Sequence, residues 1–192
     1  MARYLLINAG ANNHGATQAV LETVLQAIPQ GSQGELVCLG DCGIHYCRGC
    51  KACYETGRCV QRDGMDGLME RMDQADGIIF AVPSYWADIP GQCKVFIDRC
   101  TAYGDTNPRR LRLRPDKRCY AIALRAGRRP AECEHIIECI RHWCGHMGVT
   151  LAGSLYFCGI DGRADIEPHK GTIRKTAQAW LAEDSGRPVK EK

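Results

Sequence analysis

Cys47, Cys50, Cys53 and Cys59 lie in the stretch CRGCKACYETGRC, four thiols within thirteen residues. Thiols gathered this densely close disulfides, hold a zinc ion, or ligate an iron–sulfur cluster. A structural zinc site usually draws two ligand pairs from segments a dozen or more residues apart, so that two knuckles close a tetrahedron. Here the gaps between successive cysteines are two, two and five residues. That compaction resembles a Cys-x2-Cys-x2-Cys cubane run, in which each thiolate takes one corner iron. Gly49 and Gly57 would let the backbone wrap around sulfur, and Lys51 and Arg58 would offset the negative charge of a thiolate-ligated cluster. The spacing favours a [4Fe-4S] cluster, with zinc and bare thiols as the alternatives.

Disulfides are the weakest reading. The chain has 13 cysteines, an odd number that forbids complete pairing. Cys100, Cys139, Cys144 and Cys158 fall inside apolar periodic segments, where a free thiol behaves as a small hydrophobe. The opening MARYLLIN runs straight into a strand-like segment without the pattern of a secretory signal. Reduced thiols and a cytoplasmic location are therefore expected.

Two other segments could hold a ligand. NAGANNHG, Asn8 to Gly15, follows the apolar run Tyr4 to Ile7 and precedes a helical pattern. Its small residues let backbone approach an anion, and Thr17 sits in the first turn of a helix whose free N–H groups attract phosphate. It lacks both the spaced glycines of a dinucleotide fingerprint and the Gly-Lys-Thr of a P-loop. The second segment, PSYWADIP, places Tyr85 and Trp86 directly after the continuous apolar run Gly77 to Val82. Two aromatics there suit packing against a planar ring, or core or dimer packing.

The elements that must position these loops alternate. Strands are expected at Tyr4–Ile7, Glu35–Leu39, Gly77–Val82, Cys119–Leu124 and Thr150–Phe157. Helical stripes fall between and after them: Val20, Val24 and Ile28; Met65, Leu68, Met69 and Met72; a helix from about Gly91 to Tyr103; Ile136, Ile140, Trp143, Cys144 and Met147; and Ile173, Ala177, Trp180 and Leu181. Five alternations imply an α/β protein, a doubly wound five-stranded parallel sheet with helices on both faces. The count favours the flavodoxin-like order 2-1-3-4-5, with a cysteine-rich loop after strand 2. In such sheets a ligand sits beyond the carboxyl ends of the strands, at the reversal between strands 1 and 3. One domain is expected over 1–184, with an insertion at about 42–63 and a polar tail over 185–192.

Hydrophobic residues make up 45% and charged residues 24% of the 192, ordinary globular values with no apolar run long enough for a membrane helix. No membrane is expected as a partner. A net charge of +3 lacks the concentrated basic face that marks nucleic-acid binding. The basic run from Arg109 to Arg118 reads as a solvated loop, or as a holder of a phosphate-bearing ligand or partner subunit.

CRGCKACYETGRCVQRDGM, ADGIIFAVPSYW and IPGQCKVFIDR together resemble the NAD(P)H-dependent FMN reductase family, and more narrowly its iron–sulfur flavoproteins. The resemblance covers most of the chain and is most specific from Cys47 to Arg99. It implies a flavodoxin-like fold, FMN at the strand ends, NAD(P)H or ferredoxin as electron donor, and a homodimer or homotetramer that completes each flavin site. By position, the phosphate loop falls on Gly10, Asn12, Asn13, Gly15, Ala16 and Thr17. The isoalloxazine loop falls on Pro83, Ser84, Tyr85 and Trp86, and a third loop contributes Gly127. Only Gly15 and Thr17 match the family pattern of the first loop: Gly10, Asn12 and Ala16 replace its usual serine, arginine and asparagine. Asn13, His14 and Arg128 are candidate substitutes. The metal ligands are Cys47, Cys50, Cys53 and Cys59, and no side chain is assigned as a catalytic acid or base. The alternatives are a clusterless NAD(P)H:quinone or FMN reductase, and a non-enzymatic redox-sensing or binding protein that has lost FMN.

Overall fold

GIIFAVP is apolar along its whole length because it is covered on both faces. In the computed structural model, which describes residues 1–185, this strand is the middle of a parallel sheet. The strands are β1 (Arg3–Asn8), β2 (Gln33–Cys38), β3 (Gly77–Pro83), β4 (Arg118–Arg125) and β5 (Thr150–Cys158), in the order 2-1-3-4-5. All four pairings are parallel, and β4 pairs β5 across an irregularity at Cys119/Tyr120. The helices are α1 (Ala16–Leu25), α2 (Ala52–Thr56), α3 (Gly64–Gln74), α4 (Gly91–Arg99), α5 (Ala131–Met147) and α6 (Lys170–Ser185). The tail expected from residue 185 falls where α6 ends, and residues 186–192 lie outside the described residues.

Alternate side chains of each strand enter opposite layers, as the strand period of two requires. Leu5, Ile7, Ile78, Phe80, Val82 and Ala121 face the helices α3, α4 and α5. Tyr4, Leu6, Ile79, Ala81, Tyr120 and Ile122 face α1 and α6. Phe80, Phe96 and Trp143 form an aromatic cluster with centroids 5.3–6.1 Å apart, each contact contributing about 0.5–1.5 kcal/mol beyond burial alone. The methionine stripe of α3 is core, with Met65, Leu68, Met69 and Met72 all buried.

Three expectations need correction. The helix from Gly91 stops at Arg99 and tightens into a 3-10 turn, Cys100–Ala102, rather than running to Tyr103. Of the four cysteines read as core, Cys100 and Cys144 are buried while Cys139 and Cys158 are half-buried. The basic run is not simply solvated. Lys117 is buried, and its Nζ donates to the Asp73 carbonyl at 2.6 Å and to that of Ala75. Arg110 donates to the His146 carbonyl at 3.1 Å, and Arg118 pairs with Glu183 at 3.0 Å. These cations serve intramolecular anchoring.

The chain enters α3 past a contact only glycine permits. A Cβ on Gly64 would collide with the Cys42 carbonyl oxygen, which is backbone and cannot swing aside. Gly64→Ala is expected to destabilise the protein by about 1–3 kcal/mol, lowering the thermal midpoint by roughly 3–10 °C. Thermal unfolding followed by circular dichroism checks this, and an unchanged midpoint refutes the contact.

Candidate cofactor sites

The first loop folds on Asn8, the last residue of β1. Its buried amide donates to the Asn12 carbonyl at 2.9 Å and to Gln18 Oε1 at 3.0 Å, while Oδ1 accepts from the Gly10 N–H at 2.8 Å. Asn12 Oδ1 accepts from the His14 N–H at 3.1 Å. The loop is thus shaped internally, and Ala11 to His14 are left exposed. Gly15 is the N-cap of α1, with no side-chain cap and no acid in the first turn. Its amide end therefore keeps donors and positive potential for an anion. Ala16 begins the helix and Thr17 is buried. Among the proposed substitutes, Asn13 is turned toward Asp41 Oδ2 at 3.4 Å, and the His14 ring lies 3.5 Å from Asn13 Oδ1.

The second loop leaves β3 at Pro83. The Ser84 N–H donates to the Leu124 carbonyl at 2.7 Å, and Ser84 Oγ donates to Glu132 Oε2 at 2.7 Å. Glu132 also holds Arg125 Nη2 at 2.9 Å. Tyr85 and Asp88 then exchange backbone hydrogen bonds at 2.9 and 3.2 Å, closing a two-residue turn over Trp86 and Ala87. Both central residues are left-handed, with φ of 53° and 63°, where such turns usually carry Asn-Gly. Each such non-glycine costs on the order of 1 kcal/mol, strain that tends to collect where a ligand is held. Trp86 is 102% exposed and Tyr85 44%, so neither packs in the core. Together with Arg125, Ala126, Gly127 and Glu132, the loop lines an open cleft of about 380 Å³, within the range of small-molecule sites. Buried Arg125 Nε has no hydrogen-bond partner among the described residues, so a ligand acceptor in the cleft would satisfy it.

These loops meet because their strands are neighbours. Asn8 is paired with Ala81 and Pro83 with Leu124, so Gly10–Thr17, Pro83–Trp86 and Gly127 gather beyond one sheet edge. The donors of the first loop and the cleft of the second fit a phosphate-bearing planar cofactor.

The cysteine segment takes a different course. Cys47 and Cys50 are exposed, Cys53 and Cys59 half-buried, and none of the four is in a disulfide. Left-handed Gly49, Lys51 and Gly57, with φ of 64°, 56° and 75°, bend the chain around α2. Gly57 packs so closely on the Arg109 carbonyl that a Cβ would lie 2.6 Å from its oxygen. Buried Asn107 straps the loop down, its amide donating to the Cys53 and Ala102 carbonyls, both at 3.1 Å. Burial raises the Cys53 pKa, and the nearby Cys59, Cys47 and Cys50 raise it further. Cys53 therefore feels the other three thiols, and a cationic neighbour would favour its thiolate.

That cationic setting includes Arg99, which sequence reasoning missed. Burial disfavours its charge, but Asp63 and the Cys59 thiol outweigh this and hold its pKa above the ordinary value. Arg99 donates to Asp63 through Nη1 at 2.6 Å and Nη2 at 3.0 Å, and through Nη1 to the His45 carbonyl at 2.8 Å. Asp63 also caps α3 by accepting from the Met65 N–H at 3.1 Å. Arg99 read only as one residue inside the helix expected from about Gly91 to Tyr103, and nothing local announced a partner 36 residues earlier.

Four thiolates around zinc would bring sulfurs within about 3.8 Å of one another, given Zn–S distances near 2.3 Å. Among the described residues, no three of these cysteines place their sulfurs within 4.8 Å of one another. This segment lies mostly apart from the other two loops. The end of β2 does reach the first loop, where Cys38 Sγ lies 3.8 Å from the Gly10 carbonyl oxygen. The hydrogen bonds and close contacts of Cys47–Cys59 lead instead to Thr106, Asn107 and Arg109.

Fold and loops together define a flavodoxin-like α/β protein with a ligand cleft at the strand ends and a four-thiol loop after its second strand. The chain belongs to the NADPH-dependent FMN reductase family, whose model matches residues 2–158, and within it to the iron–sulfur flavoproteins. An iron–sulfur flavoprotein of Clostridioides difficile is 32% identical over 181 residues, 92% of this chain and 76% of that one. One from Archaeoglobus fulgidus is 37% identical over 92 residues, 47% of this chain and 42% of that one. The chain spans about half the length of several curated relatives it matches, 42–49%. The NAD(P)H:quinone oxidoreductase from Methanothermobacter marburgensis shares the fold, with a TM-score of 0.69, 17% identity, and coverage of 94% of this chain and 96% of that one.

Proposed function

We propose that this chain is an NAD(P)H-dependent FMN oxidoreductase that passes electrons between NAD(P)H or ferredoxin, FMN, a [4Fe-4S] cluster and a small-molecule or protein acceptor. One observation carries the reading: four free thiols share a single loop beside a buried arginine, in a chain of this family. FMN supplies the exchange of two electrons with one side and single electrons with the other. The protein's part is positioning. The amide end of α1 and the Gly10–Thr17 backbone hold the phosphate, while Trp86 and Tyr85 edge the ring and Arg125 Nε donates to an acceptor on it. Cys47, Cys50, Cys53 and Cys59 supply one thiolate per iron, with Arg99 offsetting their charge. A homodimer or homotetramer would cover the exposed Trp86. Anaerobic purification followed by flavin, iron and sulfide analysis tests both cofactors. A preparation with flavin and no iron or sulfide after reconstitution would support a clusterless reductase instead.

FMN titration of the apoprotein is expected to quench flavin fluorescence saturably at micromolar concentrations. Trp86→Ala is expected to weaken binding about two- to tenfold, the equivalent of one aromatic contact of roughly 0.5–1.5 kcal/mol. Absence of saturable binding by the wild type would refute the flavin site.

A further inference from the structure

Sequence periodicity treats Cys139 as a core thiol, yet it lies half-buried beside two groups that have no packing role. His135 precedes it by one helical turn on α5, an i,i+4 pair whose side chains meet on one face. His135 Nε2 lies 3.6 Å from Cys139 Sγ and 3.6 Å from Asp88 Oδ1. The three ligand atoms all fall within 4.8 Å of one another. A tetrahedral zinc ion with bonds of about 2.3 Å to sulfur and about 2.0–2.2 Å to nitrogen and oxygen would place them roughly 3.4–3.6 Å apart. The near-match in spacing is independent of the Cys47–Cys59 loop.

We propose that Asp88, His135 and Cys139 form a zinc site that ties the Tyr85–Asp88 turn to α5. The donor set selects the metal class: one thiolate, one imidazole and one carboxylate suit zinc, whereas calcium and magnesium require oxygens. Thiolate and carboxylate together balance the charge of the dication. With three protein ligands, water completes the tetrahedron from the exposed side. Neighbouring charges are paired elsewhere: Lys94 with Asp98, which keeps its ammonium from neutralising Asp88, and Glu138 with Arg141. The site also rationalises the left-handed Trp86 and Ala87, because that turn is what aims Asp88 back toward the helix. Zinc bound at Asp88 would fix the turn that bears Tyr85 and Trp86.

The test is calorimetric titration of zinc chloride into cluster-reconstituted protein, so that the four loop cysteines are engaged, with bound metal measured after gel filtration. One equivalent is expected to bind. Cys139→Ser and His135→Gln should each weaken it roughly tenfold or more, and Asp88→Asn less, with iron and sulfide content unchanged. His142→Gln is the control, since His142 and His146 form another close pair on α5, 3.1 Å apart, and it should leave binding intact. All variants are at surface or half-buried positions, and circular dichroism verifies their folding. Absence of saturable binding, binding indifferent to Cys139 and His135, or loss in His142→Gln overturns the proposal. The readout is the zinc lost in Cys139→Ser and His135→Gln, so even in protein that takes up no cluster it reports this site apart from any zinc held by the loop cysteines, and its failure is separate from any failure of the oxidoreductase reading.

Discussion

Cys50→Ala is expected to abolish or convert the cluster, whereas wild type reconstituted anaerobically with iron and sulfide should hold about four of each per chain. Cys50 is the middle of three closely spaced thiols and is exposed, so its loss removes one corner ligand without disturbing the core. The variant should lose the broad visible absorbance and retain at most a smaller cluster with fewer irons. Cys144→Ala is the matched control, a buried thiol remote in sequence from the loop, and its iron content should equal wild type. One zinc and no sulfide in the wild type would overturn the assignment.

Asp63→Asn is expected to destabilise the fold by about 3–5 kcal/mol, because it leaves the Arg99 guanidinium buried without a counter-charge. The two side chains are 4% and 1% exposed, so water cannot take the place of the carboxylate. The pair joins three segments, His45 before the cysteine loop, the start of α3 and the end of α4. Its loss should therefore also loosen the platform under Cys59. Burial alone would raise the Asp63 pKa, but the Arg99 guanidinium and the N–H groups of His45 and Met65 hold it well below the usual carboxylate range. Since the folded pKa is depressed, the unfolded chain binds the proton first as pH falls. The stabilisation is thus fully present above the unfolded value of about 3.9 and is lost progressively below it. Urea unfolding at pH 7 and in steps below pH 4 should show wild type and Asp63→Asn converging as the pH falls. Equal stability at pH 7, or a gap that widens in acid, would rule out this role.

The sheet was legible in the sequence because its signals are local and physical. Uninterrupted apolar runs such as Gly77–Val82 occur where helices cover both faces, and five alternations permit few parallel arrangements, of which the observed order is one. The methionine stripe of α3 and the apolar face of α5 followed from helical period alone. The cysteine spacing proposed a donor set for the same reason, since residue type and separation are written along the chain. What required tertiary structure were the relations between distant segments. Tyr85 and Trp86 carried no sign of whether they would be core or exposed, because adjacent aromatics suit either, and a left-handed turn with two non-glycine residues has no sequence signature. Lys117 read as one residue of a basic run and Arg99 and Arg125 drew no reading of their own, until the fold set them against backbone carbonyls, Asp63 and Glu132. Asp88 and His135 stand 47 residues apart in sequence, and only the crossover that lays α5 beside the β3 loop brings them together. Periodicity records which side of an element is apolar; pairing of charges and ligands depends on which elements become neighbours.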